Sequence, residues 1–103
     1  MLEGKELHKV QKSFAETKDR LAFIFEALGD QTRLKIFRLL VQKKDLCVTD
    51  VAKVCGISVP AASHQLKVLE LVGLVRRERM GKMICYELQE KDPIVKKVIN
   101  IIQ

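Results

Sequence analysis

The chain has 103 residues, 48% hydrophobic and 31% charged, which is one small domain's worth and leaves no room for a second domain or a large α/β enzyme core. Aromatic residues are 5%, Trp is absent, and Gly and Pro number 5 and 2; this argues against a turn-rich β-sandwich and for a mostly helical fold. The formal net charge is +6, no apolar run reaches the roughly 18 residues of a bilayer span, and the charged start Met1-Leu2-Glu3-Gly4-Lys5-Glu6 has no signal-peptide core, so the expected setting is the cytoplasm, without a membrane.

In chain order, residues 3–28 read as one long helix. Leu7, Phe14, Leu21 and Leu28 repeat every seven, with Val10, Thr17 and Ile24 between them, and such an a/d stripe suits packing against a second helix, from this chain or a partner. Gly29-Asp30 ends it, with Gly29 as C-terminal cap and Asp30 as N-cap of a helix over about 31–43 that buries Leu34, Phe37, Leu40 and Val41. Asp45 to Val48 is a short link. Thr49 then caps a helix that carries Val51, Ala52 and Val54 inward and stops at Gly56. Ser58 caps a helix over 59–72, with Pro60 in its first turn and Ala62, Leu66, Leu69 and Val72 inward, ending at Gly73. Residues 74–79 and 83–88 alternate as strands about Met80-Gly81-Lys82, a hairpin. Asp92-Pro93 starts a last helix whose Ile94, Val95, Val98, Ile99, Ile101 and Ile102 are too apolar for a helix with one solvated side.

The charge is unevenly placed. Residues 1–29 hold five groups of each sign and residues 83–103 three of each. Residues 30–52 hold five basic against three acidic, and residues 53–82 six basic (Lys53, Lys67, Arg76, Arg77, Arg79 and Lys82) against two. A face for a polyanion clusters charge in this way. A solvated basic surface is the plainer explanation unless a motif joins it.

The motif is Gly56-Ile57-Ser58 between two short helices, the turn of a helix-turn-helix. A second helix that enters a major groove about 12 Å wide needs small or hydrogen-bonding side chains outward. Here these are Val59, Ala61, Ser63, His64, Gln65 and Lys67, preceded by the cap Ser58. Gln65 has the chemistry to pair bidentately with an adenine edge, Ser63 and His64 to reach bases or phosphate, and Pro60 and Ala61 to touch a thymine methyl. The hairpin sets Arg77, Arg79 and Lys82 beside the duplex. Nothing supports an enzyme: there is no paired carboxylate, no Gly-rich phosphate loop and no triad, and His64 is already accounted for by its helix. No cofactor is implied.

Residues Ala27-Leu28-Gly29-Asp30-Gln31-Thr32-Arg33-Leu34-Lys35-Ile36, Leu46-Cys47-Val48-Thr49-Asp50-Val51-Ala52 and Ser58 to Leu69 with Ser63-His64-Gln65-Leu66 resemble the ArsR/SmtB-type winged-helix repressors. Gly73-Leu74-Val75 and the run from Gly81-Lys82 to Tyr86-Glu87-Leu88 are similar to that family's wing. The resemblance spans about residues 24–90. It implies a winged helix-turn-helix over 1–103 that dimerises through 1–28 and 92–103, binds a double-stranded operator and lets go on an inducer signal. Two-fold symmetry makes that operator an inverted repeat.

The sensing residues depart from the family. Its thiolate metal site has Cys-Val-Cys-Asp before the third helix, whereas here Thr49 follows Cys47-Val48. Its other common site places His and carboxylates along the last helix, where this chain has Asp92 alone. Tetrahedral zinc needs four donors, or three and water; Cys47, Cys55 and Cys85 are oddly spaced and His8 is remote, so no metal site is assigned. Three cysteines at irregular spacing also argue against a disulfide framework. A thiol signal needs only one reactive and one resolving cysteine. Cys47 is assigned as the sensor with Cys55 as its partner, although Cys55 and Cys85 are also explained as packing residues. The expected function is a sequence-specific DNA-binding repressor released by a thiol signal. A constitutive DNA-binding protein without inducer and a winged-helix protein-interaction module are the alternatives.

Overall fold

A computed structural model describes residues 1–15 and 19–103. Six helices and a small sheet follow in the order α1 (Gly4–Ala15), α2 (Arg20–Leu28), α3 (Gln31–Lys43), β1 (Asp45–Cys47), α4 (Val48–Cys55), α5 (Val59–Leu71), β2 (Val75–Met80), β3 (Met83–Leu88) and α6 (Pro93–Ile102). No helix among the described residues is long and apolar enough to cross a membrane.

The single helix expected over 3–28 is two helices. The heptad stripe ignores local capping chemistry: the Asp19 carboxylate accepts from the Leu21 amide and starts α2 afresh. Thr17 of the stripe lies outside the described residues. None of α1 is buried, and Leu7 and Phe14 are exposed. In α2 Ile24 and Ala27 turn into the core while Leu21, Phe23 and Phe25 stay outside.

Local chemistry sets the next elements. Asp30 takes the Arg33 amide at 3.0 Å and begins α3, whose buried side chains are Ile36, Phe37 and Leu40, with Leu34 and Val41 half-buried. Residues 45–47 are a strand and not a link, because they pair with β3: Asp45 lies opposite Glu87, Leu46 opposite Tyr86 and Cys47 opposite Cys85. Cys47, and not Thr49, holds the N-cap position of α4; its amide donates to the Asp50 carboxylate at 3.0 Å. The helix therefore starts two residues early, and its face turns with it: Val48, Val51 and Ala52 are buried and Val54 is exposed. Gly56 closes α4 at φ 65°, a left-handed conformation that glycine adopts without steric cost.

The Ser58 hydroxyl accepts from the Ala61 amide at 3.2 Å and caps α5, which buries Ala62, Leu66 and Leu69. The sheet order is β1-β3-β2, all antiparallel. Met80 opposite Met83 leaves Gly81-Lys82 as a two-residue turn. Asp92 caps α6 through the Ile94 amide. Val95 and Val98 of α6 are buried, and Ile94, Ile99 and Ile102 pack half-buried against the same core. The helix is thus satisfied mostly within its own chain, leaving Ile101 outside.

Candidate nucleic-acid interface

The turn geometry of α4, Gly56 and α5 fixes which side of α5 is free. With Ala62, Leu66 and Leu69 inward, the helical period turns Pro60, His64 and Lys67 away from the core. Val59, Pro60, Ala61, His64 and Lys67 are exposed, and Ser63 and Gln65 half-buried. The Ser58 hydroxyl oxygen accepts the cap bond from the Ala61 amide.

The hairpin sorts its cations by the strand period. Arg77 and Arg79 lie opposite Tyr86 and Ile84, on the face continuous with the buried Val75 and Leu88. Arg76 and Glu78 lie on the other face with Glu87 and Cys85. Arg76 pairs with Glu87, and at 4.0 Å with Glu78. Arg77, Arg79 and Lys82 are exposed and have no carboxylate partner among the described residues. A cleft of about 340 Å³ joins the two elements, with Val59, Ser63 and Lys67 of α5 on one side and Arg77, Lys82 and Tyr86 on the other. Tyr86 is buried at its base; burial, and then the Glu70 charge, raise its phenol above the usual range and keep it protonated. Of the residues expected at a DNA face, Val59, Ser63, Lys67, Arg77 and Lys82 line this one opening.

Gln65 is placed differently from the rest. Its Oε1 accepts from Arg33 Nη1 at 3.0 Å, and Arg33 Nε donates to the Ala27 carbonyl at 2.7 Å. Sequence reasoning missed Arg33, which is 32 residues away; the pair depends on how α3 packs against α5.

The cysteines also differ from expectation. Cys47 is joined to Cys85 by a disulfide, and Cys55 is a free, half-buried thiol. The pairing of Cys47 with Cys55 is corrected: β1 lies beside β3, which puts Cys85 opposite Cys47, while Cys55 is at the far end of α4.

Among the described residues, the donors of the family's metal sites do not assemble. Cys47 is engaged by Cys85 and Thr49 occupies the second thiolate position. Asp92 on α6 is held by Arg20 at 2.6 Å. Asp45, Glu78 and Glu87 bring carboxylate oxygens within 4.8 Å of one another, but Arg76 already pairs with two of them. Four free donors of the kind a tetrahedral soft metal needs are not gathered there.

Helix, glycine turn, second helix and basic hairpin define a winged helix-turn-helix protein. The model of the bacterial regulatory protein arsR family matches residues 30–77. Over 87 residues the chain is 32% identical to an uncharacterised HTH-type transcriptional regulator of Methanocaldococcus jannaschii, covering 84% of this chain and 96% of that one. Over 71 residues it is 38% identical to a cadmium resistance transcriptional regulatory protein CadC homolog of Staphylococcus aureus, covering 69% of this chain and 59% of that protein. The chain therefore spans less than two thirds of that relative's length. The fold is similar to the homodimeric winged helix-turn-helix DNA-binding domain of a possible ArsR-family regulator from Mycobacterium bovis, with a TM-score of 0.71, 23% identity, and 100% of this chain and 86% of that one covered. The chain belongs to the arsR family, whose members are transcriptional regulators and not enzymes.

Proposed function

We propose that the chain is a sequence-specific repressor that binds an inverted-repeat operator as a homodimer and is released when Cys47 changes thiol state. The reading is carried by the shared cleft, onto which Val59, Ser63 and Lys67 of α5 and the unpaired hairpin cations Arg77 and Lys82 open together. Val59, Pro60, Ala61, Ser63 and His64 meet base edges near the start of α5, while Lys67, Arg77, Arg79 and Lys82 take phosphates or the minor groove. The apolar side chains left outside on α1 and α2 supply the contact between protomers, together with Ile101 of α6. All 103 residues act as one such unit.

The thiol step follows from the sheet. The Cys47–Cys85 bond ties the start of α4 to the inner strand of the hairpin. Two thiols close it by giving two electrons and two protons to hydrogen peroxide, which leaves as two water molecules. The hairpin and the helix-turn-helix then lose their freedom to adjust to DNA independently, so the reduced form is the tighter binder. The test is titration of a duplex library at several salt concentrations with wild type and Arg77→Ala, then with wild type and Cys47→Ser under oxidant and reductant. A steep salt dependence that Arg77→Ala flattens supports DNA binding. A flat one favours a protein-interaction module. A redox response that Cys47→Ser removes supports the thiol signal, and equal affinity in all redox states makes the protein a constitutive DNA binder.

A further inference from the structure

We infer that the Arg33–Gln65 pair sets the half-site spacing that the repressor accepts, by tying α5 to the end of α2, whose exposed apolar side chains are the proposed contact between protomers. The inference rests on the proposed reading, operator binding by a homodimer.

Ala62, Leu66 and Leu69 hold α5 on the core. Apolar contacts are non-directional, so they keep the helix down without fixing where it points. Direction comes from hydrogen bonds, and Arg33 supplies them. The Asp30 carboxylate accepts from the Arg33 amide at 3.0 Å and pins its backbone in the first turn of α3. Arg33 Nε donates to the Ala27 carbonyl, in the last turn of α2, at 2.7 Å. Arg33 Nη1 donates to Gln65 Oε1, in the middle of α5, at 3.0 Å. One planar guanidinium thus bridges two helices, and α3, which carries it, packs against both. Both bonds are charge-assisted. Arg33 and Gln65 are half-buried, so their bond is partly shielded from competing water.

A second tie lies at the other end of α2. Arg20 Nη2 donates at 3.4 Å to the carbonyl of Gly73, just past α5. The approach is close enough that a Cβ on Gly73 would stand 2.7 Å from that nitrogen. Arg20 and Ala27 are about 10 Å apart along the α2 axis. Two ties at that separation fix a direction, whereas one leaves a pivot.

The consequence for DNA is geometric. Leu21, Phe23 and Phe25 of α2 are exposed. In a dimer joined there, whatever fixes α5 on α2 also fixes the distance and angle between the two α5 helices. One extra base pair between half-sites moves the second by about 3.4 Å and turns it by about 35° around the duplex. A dimer with tied α5 helices must then twist the DNA or give up contacts. With the Arg33 tie cut, α5 pivots on the Arg20 tie and follows part of the way. Arg33 and Gln65 are therefore positioning residues: they set spacing and read no base.

The test starts with selection of an operator by the full-length wild type from duplexes randomised in half-site sequence and spacing. Affinity is then measured for that operator and for forms with one base pair added or removed between half-sites. The proteins are wild type, Arg33→Ala, Gln65→Ala, the double variant and Gln65→Glu, each with its melting temperature and sedimentation. Wild type should lose about tenfold on a one-base-pair change, within the range of a typical coupling, and either alanine variant only about threefold. The double variant should go no further, because the two residues act through one bond. Gln65→Glu should keep the wild-type ratio, since its carboxylate also accepts from Arg33; the ratio is taken within one protein, so the added charge cancels. Base preferences within the half-site should stay as in wild type throughout. A variant that loses the same factor at every spacing would make the pair merely structural and overturn the inference. So would a changed base preference at one position in Gln65→Ala, which needs no folded Arg33 variant. If wild type is a monomer or enriches no paired half-sites, the proposed reading fails and the inference falls with it. A selected operator with unchanged spacing ratios in the alanine variants overturns the inference alone.

Discussion

Two surfaces of this molecule are left without partners, and they differ in kind. Around the cleft between α5 and the hairpin the unpartnered groups are cations: Lys67, Arg77 and Lys82, with Arg79 beside them on the hairpin. Along α1 and α2 they are apolar: Leu7, Phe14, Leu21, Phe23 and Phe25. Charge left free is cheap in water and waits for an opposite charge, whereas a run of exposed apolar side chains marks a surface to be covered. On the proposed reading the first surface meets a polyanion and the second another apolar face. The same contrast is repeated within one strand, where Arg76 is neutralised by carboxylates and Arg77, its neighbour, is not.

The strongest way to break the comparison is to charge the apolar surface. Phe14→Glu together with Phe25→Glu should convert a dimer to monomers in sedimentation at micromolar concentration. Burying one Phe is worth about 1.5–3 kcal/mol, so removing four per dimer weakens association by about ten-thousandfold or more. Helix content should be kept, since both side chains are exposed in the protomer. A species that still sediments as a dimer would show that these side chains are not the covered face.

The charged surface is tested by the neighbouring arginines. Arg77→Ala should lower operator affinity at moderate salt. It should also reduce the slope of log K against log salt by about 0.9 for each phosphate that is no longer neutralised, hence about 2 per dimer. Arg76→Ala should change the slope much less, because its charge is already spent on Glu87 and Glu78. Equal effects of the two substitutions would mean that only net charge matters and that the strand face does not.

What was legible in the sequence was local. Asp30, Ser58 and Asp92 were readable as caps because capping needs only a short polar side chain and the next turn of chain. Gly56 and the hairpin followed from the same kind of signal. The errors lie where a distant partner decides. Three residues are too few to show a strand period, and β1 exists because β3 lies beside it. That pairing makes Cys47 the N-cap of α4, turns Val54 outward, and gives Cys47 a cysteine neighbour 38 residues away. Arg33 carried no signal as a partner of Gln65 until α3 was packed on α5. Composition and motif pointed to the cations of the expected DNA face, but which of them are free depends on strand alternation and register.

The thiol pair offers a subtler probe of how the two surfaces communicate. Oxidant should lower operator affinity of wild type by about tenfold, the size of a typical coupling between sites, and leave Cys47→Ser and Cys85→Ser unresponsive. Cys55→Ser should respond as wild type does, because Cys55 is outside the disulfide. A Cys55→Ser protein that no longer responds would move the sensor to the end of α4.

The smallest expected effect concerns the fold that carries both surfaces. Arg20 of α2 pairs with Asp92 at the start of α6 at 2.6 Å and donates to the Gly73 carbonyl at 3.4 Å. It therefore links the apolar side of the molecule to the turn that leads from α5 into the hairpin. The Asp92 carboxyl is held below its usual range, first by the hydrogen bond from Arg20 and then by the Ile94 amide, against an opposing desolvation. The folded state thus binds the proton less readily than the unfolded chain, so the contribution is complete above the ordinary carboxyl range and is lost as pH falls through the lowered value. The pair is solvent-accessible and screened, which keeps the effect small. Asp92→Asn should lower the melting temperature slightly at neutral pH, and the difference from wild type should shrink on acidification below about pH 4, the ordinary range of an Asp carboxyl. A difference that stays constant down to about pH 2, well below that range, would mean that Asp92 acts as a cap for α6 alone, without help from the charge on Arg20.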